Sequence, residues 1–361
     1  MVRPNIRRLR AYEAKEMPCK VKLDANESPY PLADWNSQKL LIRLKRVMTN
    51  RYPDPEAKEM RKAVASYFGV PSGNLLQGNG SDELIFSLIT TFGGPVLYPV
   101  PTFSMYGIIS QALGEKGIAV PLDRSFDIDQ ERLLKTIRSQ NPKLIFLSSP
   151  NNPTGNCFSS GKILKIVERS KGIVVVDEAY QPFSSQRGFL PFLKDYQNLV
   201  IMRTLSKIGL AALRLGFLIA HPEIIGEVNK VRLPFNVNSL SQAIAIAAMK
   251  DTKRVRSSIK TIIRERDRLQ NEMEKIRGVT SFPSEANFIL FRVKYPDSVY
   301  SLLLKKGVLV RNLHSGIKGC LRVTVGMPEE NTLFLKALKS AVTEDPLRRP
   351  EVYKNSSMRR A

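Results

Sequence analysis

A lysine that lies among hydroxyl groups and close to an arginine is the most reactive constellation in the sequence. The apolar run Leu199–Met202 predicts a buried strand, and Lys207 follows its carboxyl end, where α/β sheets place their chemistry. Thr204 and Ser206 flank the lysine, and Arg214 follows it. A lysine in this setting could act as a nucleophile, with an anion bound beside it. An isolated Ser-Lys pair would more simply be a basic loop.

Three further polar residues lie near the ends of other apolar runs. Asp177 ends the run 172–176, and a carboxylate inside a core needs a cation. Tyr180 follows it, and Asn152 lies in the turn SPNNPTG after the apolar segment KLIFL. A structural arginine could satisfy Asp177, and the turn alone would be unremarkable. Together with Lys207, however, these residues predict one site at the carboxyl ends of successive strands.

Length and composition indicate a large domain and a smaller one. The chain has 361 residues, more than most single cores contain, and its apolar stretches are too short to span a bilayer. The basic N-terminus has no apolar segment behind it, so we expect no secretory signal. Three widely spaced cysteines predict reduced thiols in the cytoplasm, and neither a disulfide nor a zinc site.

The formal net charge of +23 is the one unusual bulk property. The positive residues concentrate near the N-terminus, between residues 250 and 277, and after Pro346, without interleaved aromatic residues. We therefore expect a solvated basic surface that attracts anionic substrates, and no specific binding of nucleic acid. Weak binding of polyanions through the basic tail remains the alternative.

Apolar, β-branched runs alternate with amphipathic stretches along the middle of the chain. This alternation predicts an α/β fold with a large, mostly parallel sheet and helices on both faces, over residues 46–248. Shorter strands after a long helical region predict a smaller α+β domain over 249–343. Residues 1–45 are expected to pack with that smaller domain, and the basic tail 344–361 to be disordered. The runs of the large sheet are Val96–Val100, Leu144–Leu147, Ile173–Val176, Leu199–Met202 and Leu215–Ala220.

Ten short motifs occur in an order that resembles the fold type I aminotransferases, and within them most closely the histidinol-phosphate aminotransferase family. The resemblance runs from about Tyr12 to Gly326, and the ordered set is far more specific than any single motif. The motifs are LDANESPY at 23–30, RYPDP at 51–55, GNGSDELI at 78–85, PTFSMY at 101–106, PNNPTG at 150–155, VVVDEAY at 174–180, RTLSK at 203–207, PSEANFILF at 283–291, VLVRNL at 308–313 and LRVTVG at 321–326.

The resemblance implies pyridoxal 5'-phosphate as the cofactor and a role for each matching residue. Lys207 would bind the cofactor covalently, Asp177 would pair with its ring nitrogen, and Tyr106 would stack on its ring. Asn152 and Tyr180 would donate to its phenolic oxygen. The residues implied around its phosphate, at a helix N-terminus, are Ser81, Asp82, Thr204, Ser206, Arg214 and, from the other subunit of a homodimer, Tyr52.

The same resemblance implies transamination between L-histidinol phosphate and 2-oxoglutarate, which gives imidazole acetol phosphate and L-glutamate in histidine biosynthesis. Arg311 and Arg322 would bind the substrate anions, Tyr12 and Asn26 would line the pocket, and no metal is expected. An aromatic amino-acid aminotransferase and a threonine-phosphate decarboxylase on the same fold remain alternatives. A regulatory domain that has lost the chemistry is a third, against which the intact set around Lys207 argues.

Overall fold

The computed structural model describes residues 1–9, 17–31 and 38–344, and within these ranges it contains twelve α-helices and twelve β-strands. The strands are β1 (Val21–Leu23), β2 (Leu75–Asn79), β3 (Val96–Val100), β4 (Gly117–Pro121), β5 (Leu144–Ser148), β6 (Ile173–Asp177), β7 (Leu199–Thr204), β8 (Leu215–Ala220), β9 (Val279–Ser281), β10 (Phe288–Val293), β11 (Val308–Asn312) and β12 (Cys320–Thr324). The helices are α1 (Pro4–Arg7), α2 (Gln38–Lys45), α3 (Lys58–Phe68), α4 (Ser81–Phe92), α5 (Met105–Leu113), α6 (Gln130–Gln140), α7 (Ser160–Arg169), α8 (Pro222–Asn229), α9 (Ser239–Lys250), α10 (Thr252–Glu274), α11 (Pro296–Lys305) and α12 (Pro328–Thr343). Tyr12 and the tail after residue 344 lie outside the described residues.

Seven strands form the large sheet in the order β2-β8-β7-β6-β5-β3-β4. All its neighbouring strands pair in parallel except β8, which is antiparallel to both β2 and β7. Helices cover both faces of this sheet, as strand β6 illustrates. Val174 and Val176 belong to the same core cluster as residues of α7 and α9 on one side, and Val175 belongs to the cluster of α4 and α5 on the other. A strand buried on both faces is apolar at every position, which is the pattern that reveals it in the sequence. The predicted α/β class is confirmed.

The two edge strands of the large sheet are not evident from the sequence. Strand β2 carries Gln77, Gly78 and Asn79, and β4 begins with a glycine and ends with a proline. Edge strands pair on one side only and tolerate such residues, so they lack the continuous apolar run of the central strands.

A second sheet has the order β1-β11-β12-β10-β9, with β1 parallel to β11 and the other pairs antiparallel. Among the described residues of the segment 1–45, only those of β1 join this sheet. Helix α1 lies against α5, where the Asn5 side chain donates to the Gln111 carbonyl at 2.9 Å, and α2 lies against α9. In the described part of the segment, the prediction that residues 1–45 pack with the smaller domain therefore applies to β1, whereas α1 and α2 contact helices of the large one.

Helix α10 connects the two cores. Its first half contributes Val255 and Ile262 to the core of the large sheet, and its second half contributes Leu269 and Met273 to the core of the small sheet. In addition, Phe288 at the start of β10 packs into the larger core. The two sheets thus meet across a continuous packed interface. No helix in the described ranges has the length and apolar character needed to cross a membrane.

A buried ion pair joins the ends of the two central strands. Arg203, near the end of β7, places Nη2 2.6 Å from Oε2 of Glu178, the residue after β6, and the Glu178 side chain is fully buried. The Phe189 backbone N–H donates to the other carboxylate oxygen at 2.5 Å. Both oxygens of the buried carboxylate therefore have a protein donor, next to the strand ends where the chemistry is expected.

We predict that Glu178→Gln lowers the free energy of unfolding by about 3 kcal/mol, because it leaves Arg203 as a buried cation without its carboxylate. Urea unfolding measures this change. The matched control is Glu227→Gln, which removes one partner of the exposed pair with Lys230 and should cost less than about 1 kcal/mol. Equal losses of unfolding free energy in the two variants would contradict the role of the Glu178–Arg203 pair as a buried, stabilising ion pair.

Candidate active site

The carboxyl ends of β5, β6 and β7 meet at one edge of the large sheet. Ser148 pairs with Asp177, and Asp177 pairs with Met202, so the turns that follow these strands start at the same level. Lys207 lies in a short 3₁₀ helix, Ser206–Ile208, directly after β7, and its Nζ is 5.8 Å from the centre of the Tyr180 ring. The structure therefore brings the predicted lysine and phenol together at the sheet edge.

Asp177 is a buried carboxylate, 4% exposed, with two hydrogen-bond donors. The Tyr106 hydroxyl donates to Oδ2 at 2.6 Å and the Ala179 backbone N–H donates to Oδ1 at 3.0 Å. Burial raises the pKa of Asp177 to about 6, although both hydrogen bonds and the charge of Lys207 act to lower it. Within the described residues Asp177 forms no ion pair, so its charge can be matched by a cationic group of a ligand.

Tyr106 does not lie where a residue that stacks on a cofactor ring, the role implied by the family resemblance, would lie. Its ring is completely buried, and Phe146 stacks on it with centroids 4.8 Å apart and planes 11° apart. Its hydroxyl is used by Asp177. The prediction that Tyr106 stacks on a cofactor ring is therefore corrected, because the side chain lies behind Asp177 in the core. Phe103, in the same motif, is only partly buried and lies edge-on to Tyr106 at 5.6 Å.

A candidate anion site lies at the N-terminus of α4. Its N-cap is Gly80, which has φ of +86° and gives no side-chain cap, so the first backbone N–H groups of the helix remain open to a ligand. A Cβ on Gly80 would lie 2.7 Å from Nη2 of Arg214, and a Cβ on Gly216 would lie 2.7 Å from the Ser81 nitrogen. Two glycines therefore let the arginine and strand β8 approach the helix end closely.

The remaining residues predicted around the phosphate border this helix end. Thr204 pairs with Gly216 across β7 and β8, and its hydroxyl donates to that of Ser206 at 2.9 Å. Asp82 lies in the first turn of α4, with a carboxylate oxygen 3.4 Å from Arg214. Ser81 is the first residue of the helix. All of these residues lie close together, as the sequence predicts for an anion site.

Tyr52 lies apart from this cluster. It is 82% exposed, and its ring stacks on that of Phe235 with centroids 4.6 Å apart and planes 21° apart. Phe235 is itself 38% exposed. The structure therefore does not bring Tyr52 to the candidate anion site of its own chain, and its role toward another subunit stays a prediction.

Arg322 extends from the small sheet to the turn after β5. Its Nη1 donates to Oδ1 of Asn152 at 2.5 Å, and its Nη2 donates to the Asp24 carbonyl at 2.7 Å. The guanidinium also lies 5.1 Å from the centre of the Phe288 ring. Arg311 is the direct neighbour of Arg322 across β11 and β12 and is partly buried. The two predicted anion-binding arginines are thus adjacent, and one of them contacts a predicted cofactor ligand.

Asn26, predicted to line the substrate pocket, also contacts Tyr180, a predicted cofactor ligand. Its amide Nδ2 donates to the Tyr180 hydroxyl at 2.9 Å, and its own backbone is held in the left-handed region with φ of 56°. The Asn287 amide donates to its carbonyl at 3.0 Å. Phe288, which the sequence reading does not single out, meets the Tyr180 ring edge-on at 5.0 Å. Its position in the motif PSEANFILF was the one feature of the sequence that could have pointed to a place near the site.

These residues fit a pyridoxal phosphate group on chemical grounds. The group needs an amine, a carboxylate without a competing cation, donors to a phenolic oxygen and a dianion site, and the structure offers Lys207, Asp177, Asn152 with Tyr180, and the α4 N-terminus. Among the described residues no cluster of His, Cys, Asp and Glu could hold a metal ion.

Comparisons with known proteins found matches over most of the chain. A family model described as aminotransferase class I and II matches residues 18–338. The chain is 47% identical over 350 residues to a histidinol-phosphate aminotransferase from Aquifex aeolicus, and the match covers 95% of this chain and 98% of that protein.

Two solved structures share the architecture. A histidinol-phosphate aminotransferase from Clostridium acetobutylicum superposes with a TM-score of 0.82 at 25% identity, covering 90% of this chain and 99% of that one. A histidinol-phosphate aminotransferase from Sinorhizobium meliloti, solved in complex with pyridoxal 5'-phosphate, superposes with a TM-score of 0.83 at 23% identity, covering 94% and 97%. At that identity the second comparison shows the fold alone.

We predict that Gly80→Ala weakens binding of pyridoxal 5'-phosphate to the apoprotein by at least about tenfold, because a Cβ there displaces Arg214 from the anion site and strains the backbone. Fluorescence titration of the apoprotein measures the affinity. The affinity for pyridoxal, which lacks the phosphate, should change little. The control Gly226→Ala, where a Cβ meets nothing within 4 Å, should bind both ligands as the unmodified protein does; equal losses for both ligands in Gly80→Ala would place the phosphate elsewhere.

Proposed function

Because the chain belongs to the aminotransferase class I and II family, we propose that it transfers the amino group of L-histidinol phosphate to 2-oxoglutarate. The products are imidazole acetol phosphate and L-glutamate, in the biosynthesis of histidine, and the cofactor is pyridoxal 5'-phosphate. The observation that carries the proposal is the 47% identity to a histidinol-phosphate aminotransferase over nearly the full length of both chains. The aromatic aminotransferase and the decarboxylase are not favoured.

The positions of Lys207 and Asp177 support the catalytic role proposed for each. Pyridoxal 5'-phosphate supplies, when bound, an aldehyde carbon that exchanges amines and an electron-poor ring that stabilises negative charge on the substrate carbon. Lys207 would hold the cofactor through Nζ, and its amine, once freed by the substrate amine, would accept the proton from the substrate carbon and donate it to the former aldehyde carbon of the cofactor. Asp177, with no cation of its own among the described residues, would keep a proton on the ring nitrogen.

The remaining cofactor contacts orient the ring. Asn152 and Tyr180 are assigned to its phenolic oxygen, and the contact of Tyr180 with Asn26 holds the phenol in position. The phosphate is assigned to the N-terminus of α4, with the residues that border it: Ser81, Asp82, Thr204, Ser206 and Arg214. Because Tyr106 is buried behind Asp177, we assign the ring face to Phe103, which is partly exposed in the same motif.

Arg322 and Arg311 are proposed to bind the anion of either substrate. Histidinol phosphate carries a phosphate and 2-oxoglutarate carries two carboxylates, and a guanidinium binds both groups with paired hydrogen bonds. The contacts of Arg322 with Asn152 and the Asp24 carbonyl support this role, because they hold its fork beside a cofactor ligand. Tyr12 belongs to the same proposed pocket but lies outside the described residues.

The functional unit is proposed to be a homodimer in the cytoplasm. The exposed Tyr52, which is implied to reach the cofactor phosphate of the other subunit, supports shared sites. Three unpaired cysteines support a reducing compartment. We propose no specific partner among nucleic acids, and no membrane association.

Adding histidinol phosphate to the holoenzyme in the absence of a keto acid should bleach the visible absorption band of the bound cofactor, and 2-oxoglutarate should then restore it with the formation of glutamate. Phenylalanine at the same concentration should act at least about tenfold more slowly, because the arginine pair selects a phosphate or a second carboxylate. Stopped-flow absorbance measures both rates. A fast response to phenylalanine only, or release of carbon dioxide, would establish one of the alternatives, and no response to any amine would indicate a domain without chemistry.

A mixing experiment tests the shared site. Lys207→Ala removes the reactive amine and should alone retain less than about 1% of the activity. Tyr52→Ala removes the residue assigned to the other subunit and should alone retain about 10%. After unfolding and refolding together, heterodimers contain one site with both residues intact. Activity above the sum of the separate variants is expected; a mixture that never exceeds this sum would show that Tyr52 serves its own chain or none.

A further inference from the structure

Tyr106 is a buried polar residue to which the proposed mechanism gives no role. It lies on α5, is completely buried, and donates its hydroxyl to Asp177 Oδ2 at 2.6 Å. The strand geometry explains this contact. Side chains alternate along β6, so Asp177 points to the same face of the sheet as Val175, and this is the face that α4 and α5 cover.

The Tyr106 side chain is held rigidly in this place. Phe146 covers one face of the ring, Phe103 lies edge-on to it with planes at 86°, and the Ser110 hydroxyl donates to the Tyr106 carbonyl at 2.6 Å. Burial raises the pKa of the Tyr106 phenol well above its usual range, so the group stays neutral and remains a hydrogen-bond donor. A donor fixed by packing on this side cannot turn away from the carboxylate.

Asp177 needs such a donor, because burial favours its neutral form. The groups that act on it are few: Lys207 and the Ala179 N–H favour the charged form, and the charge of Asp82 opposes it. The Ala179 amide is a backbone group, and every residue except proline would supply it at that position. The strong, short hydrogen bond from a side chain is the one from Tyr106.

We propose that Tyr106 is a positioning residue that keeps Asp177 ionised and aimed at the ring nitrogen of the cofactor. It touches neither the cofactor nor the substrate, and it acts through the carboxylate alone. The strength of the electron sink is therefore set from the far side of Asp177, by a residue of α5. This inference rests on the proposed role of Asp177, but not on the identity of the amino donor.

The test compares two ligands that differ only at the ring nitrogen. The apoprotein is titrated with pyridoxal 5'-phosphate and with its 1-deaza analogue, which has a carbon in place of that nitrogen. Lys207 and the phosphate site contribute equally to both, so the ratio of the two dissociation constants reports the pairing with Asp177. The unmodified protein should prefer pyridoxal 5'-phosphate, and Tyr106→Phe should reduce this preference by about tenfold, the usual effect of losing a hydrogen bond to a charged group.

Three measurements separate this role from a structural one. Tyr98→Phe, which alters a phenol whose ring centre is 6.4 Å from that of Tyr106, should leave the ratio unchanged. In an Asp177→Asn background, Tyr106→Phe should have no further effect on the ratio, as a double-mutant cycle requires of a residue that acts through Asp177. The acid limb of the kcat/KM profile should move to higher pH in Tyr106→Phe, because Asp177 loses a donor to its ionised form.

The outcomes distinguish the positioning role of Tyr106 from the proposed role of Asp177. If Tyr106→Phe weakens both ligands equally and keeps the preference and the acid limb of the unmodified protein, Tyr106 only supports the fold and the inference is wrong. If the unmodified protein itself shows no preference between the ligands, the role assigned to Asp177 fails first. Neither result depends on whether histidinol phosphate is the amino donor.

Discussion

Asp177 carries a carboxylate that the fold buries at the end of an apolar strand, and no residue of the described ranges forms an ion pair with it. Burying a charge in this way is costly, and the protein offsets only part of the cost with two hydrogen bonds, so the pKa stays near 6. A protonated ring nitrogen is the partner that such a group lacks. In the proposed site, Lys207 and the N-terminus of α4 would place pyridoxal 5'-phosphate so that this one charge is matched.

The architecture explains how the parts are brought to that carboxylate. Parallel strands deliver Asn152, Asp177 and Lys207 to one edge of the sheet, and the helix end at Gly80 lies beside them as the proposed anion site. The small sheet adds Arg322, whose hydrogen bond to Asn152 joins a proposed substrate ligand to a proposed cofactor ligand. Helix α10 packs into both cores and holds the two sheets in this relation.

The central strands and the residues at their ends can be predicted from the sequence, because burial on both faces leaves a continuous apolar run that stops at the polar tip. Asp177 and Lys207 are found in this way. Tyr106 could not be placed correctly, since a motif gives the residue type but not the direction in which α5 turns its side chains. For the same reason Asn26 was expected only in the substrate pocket, whereas its amide contacts Tyr180. Long-range contacts of this kind depend on packing between elements far apart in the sequence, and no local pattern encodes them.

The measurement that tests the account most directly is the nitrogen NMR shift of pyridoxal 5'-phosphate labelled with ¹⁵N in its ring and bound to the protein. The shift reports whether that nitrogen carries a proton. The account predicts a protonated nitrogen in the unmodified protein at neutral pH and an unprotonated one in Asp177→Asn. An unprotonated nitrogen in the unmodified protein, or the same shift in both proteins, would contradict it.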